Sequence, residues 1–149
     1  MRTLFKISEI RIAYRPKSME LPSVTCSADA HQLFRTVFCK KTIYAQEQFY
    51  VMFLNRANKV IGTYRASLGG LTGTVVDIRL ILSIALKSLA SCIMVAHNHP
   101  SGSLKPSQAD ITLTSKLKEA AELMDIKLLD HLIIAGEDSY FSFADEGLL

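Results

Sequence analysis

The sequence predicts one α/β domain in which helices flank a mixed β-sheet in three layers. Strand-like and helix-like hydrophobic periods alternate along the chain. Two apolar runs, Cys92–His97 and Ile126–Ala135, read as buried strands. The 149 residues are 49% apolar and 21% charged, which suits one hydrophobic core in a soluble globular chain. No repeat or linker divides residues 1–149. Residues 1–26 are expected to supply an N-terminal strand and connection, and 27–149 the core.

Leu4–Tyr14 alternates loosely and predicts the first strand, with Pro16 and Pro22 punctuating the connection after it. Ser27 is placed to cap a helix reaching about Lys40, with Leu33, Phe34, Val37 and Phe38 at helical spacing. Gln46–Leu54 and Lys59–Ala66 form a hairpin across the polar turn Asn55-Arg56-Ala57-Asn58. A glycine-rich corner, Gly69-Gly70-Leu71-Thr72-Gly73, leads into a helix over Val76–Leu89, whose apolar face is assigned to Leu80, Ile84 and Leu89. The strand Cys92–His97 and the loop Asn98–Pro106 precede the clearest helix, Ser107–Met124, with Ile111, Leu113, Leu117 and Ala121 on one face. Ile126–Ala135 and a short Tyr140–Phe143 complete the sheet.

The net charge of +3 comes from 17 basic and 14 acidic residues. The excess is dispersed, so nucleic-acid binding is expected to be weak or absent. The apolar runs are of strand length, too short for a membrane helix. MRTLFKISEI has no secretion-signal core, so the cytoplasm is the expected compartment. Cys26, Cys39 and Cys92 are widely spaced, which argues against a disulfide framework or a cysteine zinc knuckle. Cys92 reads as a buried small hydrophobe, with no local histidine to activate it.

The chemistry-bearing pattern is His97-x-His99 followed by Ser107-x-x-Asp110. Residues two apart at a strand end face the same way, so both imidazoles can reach one ion if the chain stays extended through Asn98. Pro100 favours extension at His99. Asp110 sits in the first turn of a helix, where the macrodipole favours an ionised carboxylate. Two histidines, one carboxylate and an open position are a common catalytic zinc set. Ser107, as N-cap, accepts from the Asp110 N–H and keeps its own hydroxyl proton for an attacking water or an oxyanion. Read blandly, these are two surface histidines beside a loop and a common helix start. At this composition the whole pattern arises by chance about 5 times in 10,000, which disfavours that reading. His131 in its apolar strand reads as a hydrogen-bonded core histidine, with a place behind the metal ligands as the alternative.

Ala96-His97-Asn98-His99-Pro100-Ser101-Gly102, Pro106-Ser107-Gln108-Ala109-Asp110-Ile111, Leu129-Asp130-His131-Leu132-Ile133-Ile134 and Ser142-Phe143-Ala144-Asp145-Glu146-Gly147 together resemble the RadC group of JAB/MPN (JAMM) domains. The resemblance runs from about residue 27 to the end. It implies a metalloprotease-like fold related to cytidine deaminases, with one zinc at the sheet edge. Related JAMM domains cut isopeptide bonds, whereas the RadC group carries an old DNA-repair label.

The family pattern also implies an upstream glutamate as general base, which maps onto Glu47 at the head of Glu47-Gln48-Phe49-Tyr50-Val51. Longer members carry an N-terminal helix-hairpin-helix module that is not expected here. Where the family tends to have Pro-Arg-Glu, this chain has Ile78-Arg79-Leu80, which leaves Arg79 equally suited to the cleft or the surface.

The resulting expectation is a zinc-dependent hydrolase of a peptide or protein substrate. Glu47 and Ser107 would be the catalytic residues, and specificity would sit in the loops Leu68–Thr74 and Asn98–Pro106. The alternative is a zinc-binding DNA-associated or protein-interaction module without turnover. A nucleobase deaminase would need His-x-Glu with Pro-Cys-x-x-Cys, and neither is present.

Overall fold

In the computed structural model, described at residues 8, 11, 14, 15, 17, 18, 20–69 and 75–149, the expected three layers are present. The elements are α1 (Ser27–Val37), β1 (Gln48–Leu54), β2 (Val60–Leu68), α2 (Ile78–Lys87), β3 (Cys92–Asn98), α3 (Gln108–Glu122), β4 (Lys127–Ala135) and β5 (Ser139–Ser142). The sheet order is β2-β1-β3-β4-β5. β3 and β4 are parallel and the other neighbours antiparallel, so the sheet is mixed.

Strand alternation sorts the core into two halves. Tyr50, Met52, Leu54, Met94, Ala96, Leu132 and Ile134 pack beneath Ala30 and Phe34 of α1. Phe49, Val51, Phe53, Ile93 and Val95 pack against Ile81 and Ala85 of α2 and Leu117 and Ala121 of α3. β1 and β3, covered on both sides, are buried along their whole length. That is why they read as continuous apolar runs while the edge strand β2 does not. The same alternation fixes the site: His97 continues the Ile93–Val95 face, towards α3.

The hairpin is as expected. Asn55 Oδ1 accepts the amides of Ala57 and Lys59 at 2.9 and 3.1 Å. Asn58 takes the left-handed conformation (φ 53°) that asparagine tolerates.

Three details depart from expectation. Ser27 does not cap α1: the N-cap is Cys26, and Asp29 reaches back to the Thr25 amide at 2.9 Å. Ser27 instead donates to Asp145 at 2.5 Å. In α2 the buried residues are Ile81, Leu82 and Ala85, whereas Leu80 and Leu89 are exposed. For Leu89 the cause is at the C-terminus: the Ala90 amide bonds the Ala85 carbonyl at 2.9 Å and Leu89 turns left-handed (φ 57°). The helix therefore stops short of Leu89 and throws it outward. On α3, Ile111 is exposed and Thr114 is buried in the position a hydrophobe would be expected to hold.

The predicted strand Leu4–Tyr14 and most of the glycine-rich corner lie outside the described residues. Among the described residues, no helix is long and apolar enough to cross a membrane.

Candidate metal centre

The centre sits where β3 ends and α3 begins. The extended chain continues past Asn98, because the His99 amide still donates to the Ile134 carbonyl of β4 at 3.0 Å. His97 and His99 therefore share a face, as expected. The chain then reverses: the Gly102 amide bonds the His99 carbonyl at 3.0 Å, with Gly102 at a φ of +82° that side chains rarely adopt.

α3 opens with a complete capping box. Ser107 Oγ accepts from the Asp110 amide at 3.1 Å, and Asp110 Oδ2 accepts from the Ser107 amide at 2.7 Å. This fixes the carboxylate in front of both imidazoles. Asp110 Oδ1 lies 3.2 Å from His97 Nε2, and Oδ2 lies 3.5 Å from His99 Nε2. The two Nε2 atoms are 2.9 Å apart. One potential ligand atom from each of the three residues falls within 4.8 Å of the others.

The protonation pattern suits a cation at this point. His99 Nδ1 lies 2.8 Å from the Ser103 carbonyl, which can only accept, so Nδ1 carries a proton and Nε2 is the nitrogen that gives up its proton to take a cation. The Asp110 hydrogen bond raises the pKa of His99 against the opposing effect of burial. Burial pushes Asp110 upward, but hydrogen bonds from His97 and His99 and from the Ser107 cap hold its carboxyl well below the usual range. A carboxylate kept ionised beside two close nitrogens attracts positive charge, and the three residues are grouped so that they could hold one metal ion. The donor set fits zinc.

Behind His97 stands His131, fully buried, with its Nε2 at 2.8 Å from His97 Nδ1. Burial drives its pKa well below the ordinary value. Thr114 Oγ1 lies 2.6 Å from His131 Nδ1. His131 is thus the hydrogen-bonded core residue expected, and it lies against His97, a candidate ligand. Thr114 went unnoticed in the sequence; a lone threonine on the apolar stripe of α3 was the available signal.

Glu47 is half-buried and lines a 320 Å³ cleft with Ala45, His99, Pro100, Ser101, Ser103 and Lys105. It is thus brought beside one candidate ligand, and its charge contributes to the raised pKa of His99. Ser107 is exposed and reaches the centre through Asp110. Arg79 is on the surface, its side chain 93% exposed and paired with Asp77 at 3.2 Å. A larger groove of 1030 Å³, at the opposite end of β3, contains none of these residues.

Asp130, also buried, accepts from the His131 and Ala144 amides and from Ser142 Oγ at 2.7, 3.0 and 2.6 Å. It ties the C-terminal turn to β4. Cys92 is buried and unpaired, as expected of a small core hydrophobe.

Comparison with known proteins identifies the family. A UPF0758 protein of Flavobacterium johnsoniae is 45% identical over 130 residues, covering 87% of this chain and 55% of that protein. One from Porphyromonas gingivalis is 42% identical over 143 residues, covering 96% and 63%. One from Coxiella burnetii is 38% identical over 143 residues, covering 95% and 62%. The chain thus spans a little over half the length of these relatives. Residues 24–148 match the RadC-like JAB domain, a stretch that takes in the sheet, its helices and every candidate site residue, and the chain belongs to that family.

Proposed function

We propose that this domain is a zinc-dependent hydrolase of peptide or isopeptide bonds, with His97, His99 and Asp110 holding one zinc ion and Glu47 as general base. The observation that carries it is the convergence of two imidazole nitrogens 2.9 Å apart on an ionised carboxylate, next to a cleft lined by Glu47. Structural zinc sites are usually closed and cysteine-rich, whereas three nitrogen and oxygen ligands leave a position open. When bound, zinc supplies Lewis-acid chemistry, lowering the pKa of water to about 7 and polarising a carbonyl.

The chain's own residues handle the protons. Glu47 accepts one from the attacking water and returns it to the leaving amine. Ser107 Oγ is an acceptor in the helix cap, so its hydroxyl hydrogen is available to an oxyanion. Nucleic acid is a weak partner on this reading, because the +3 excess is small and dispersed.

The test is a panel of peptides and lysine-linked isopeptides incubated with the purified chain, with zinc and with chelator. Cleavage that chelator abolishes and zinc restores is the expected result. Zinc binding with no turnover across the panel would favour the module without catalysis. A DNA complex surviving at about 0.15 M salt would point the same way.

A further inference from the structure

The hydrogen bonds around Thr114 form a directed chain of protons that ends at the metal centre. Thr114 Oγ1 lies 2.6 Å from the Asp110 carbonyl oxygen and 2.6 Å from His131 Nδ1. The carbonyl can only accept, and the hydroxyl has one hydrogen, so Thr114 donates to Asp110. Its oxygen must then accept from His131 Nδ1–H. His131 is fully buried with no carboxylate against its ring nitrogens, so it is neutral and its Nε2 holds a lone pair. That lone pair accepts from His97 Nδ1–H across 2.8 Å. In neutral His97, the form a metal ligand must take, the lone pair then falls on Nε2, the atom that faces His99 and Asp110.

We propose that Thr114 and His131 are positioning residues that hold His97 in its Nδ1–H tautomer, with Nε2 open towards a divalent cation. The chain of hydrogen bonds begins at the backbone of one ligand, Asp110, and ends at the ring of another, His97. It therefore also locks the first turn of α3 against β4. His99 needs no such device, because the Ser103 carbonyl sets its tautomer directly. Thr114 is 3% exposed, and its hydroxyl is the one point where the direction of the whole chain is decided. A valine there would keep the shape and leave His131 Nδ1 without a partner.

The inference rests on the metal reading above, and the experiment separates the two. Imidazole nitrogen NMR on the metal-free full chain reads the tautomers, and competition with a chromogenic chelator reads zinc affinity. In the wild type, His97 and His131 should both be Nδ1–H. Thr114→Val should lose the single tautomer at His131 and bind zinc about 10–100-fold more weakly, while Thr114→Ser restores both. An Nε2–H tautomer at His131 in the wild type would overturn the proposal, and this readout needs no variant to fold. Wild-type zinc affinity in a folded Thr114→Val would overturn it as well. A wild type with the expected tautomers that takes up no zinc would instead overturn the metal reading and, with it, the purpose assigned to the chain of hydrogen bonds.

Discussion

Asn98 Oδ1 accepts a hydrogen bond from the Gln48 amide at 2.6 Å, joining the residue between the two histidines to the residue after Glu47. The Asn98 amide group also donates to the carbonyls of Ile43 and Gln46, at 2.6 and 2.9 Å. Asn98 faces the side of the sheet away from the candidate metal ligands and is 1% exposed. One buried amide thus ties the segment carrying Glu47 to the strand carrying His97. Asn98→Ala should leave these backbone groups unpartnered, at about 1–3 kcal/mol each. It should keep zinc, because no ligand is lost, while turnover falls on the order of 10²-fold through misplacement of Glu47. Paired zinc and activity assays check this; zinc loss with a native fold would contradict it.

Glu47→Gln keeps the shape of the side chain and removes its ability to take a proton. Zinc and melting temperature should stay at wild-type levels while turnover drops about 10²–10⁴-fold. Wild-type turnover in this variant would rule out Glu47 as the base. Loss of zinc would make it a ligand instead.

Ser107→Ala removes the side-chain half of the capping box and leaves the backbone bond from residue 107 to Asp110 Oδ2. The expected cost is about 1 kcal/mol of stability, with zinc retained and a smaller catalytic loss than Glu47→Gln produces. Chemical denaturation checks the first part. An unchanged midpoint would show that the cap contributes nothing here.

His131 gives a pH signature in the metal-free chain. Burial holds its pKa well below the ordinary 6.5, so the unfolded chain takes up a proton that the native chain refuses. The stability it contributes is fully present above pH 6.5 and is lost as the pH falls below that value. Between about pH 8 and about pH 5, wild-type protein should lose more melting temperature than His131→Gln, which cannot take up the proton. Equal losses would contradict a neutral buried His131.

The elements that the sequence disclosed best are those whose periodicity is unmixed: β3, β4 and the hairpin, each bounded within about two residues. The candidate metal ligands were legible for a local reason, since His97-x-His99 and Ser107-x-x-Asp110 each carry their geometry within a few residues. α2 was legible as a helix but not in its facing. Leu80 and Leu89 are hydrophobic yet exposed, and a left-handed residue ending a helix leaves little mark when it is leucine rather than glycine. The hydrogen bonds from Thr114 through His131 to His97 were invisible for the opposite reason. They join α3, β4 and β3, and only the parallel pairing that sets His131 opposite Val95 brings those residues together.

Zinc stoichiometry tests the central claim most directly. Purified wild-type chain, dialysed against zinc and measured by elemental analysis, should hold one ion per chain, and His97→Ala, His99→Ala and Asp110→Ala should each hold close to none while remaining folded. Full zinc occupancy in all three variants would contradict the account.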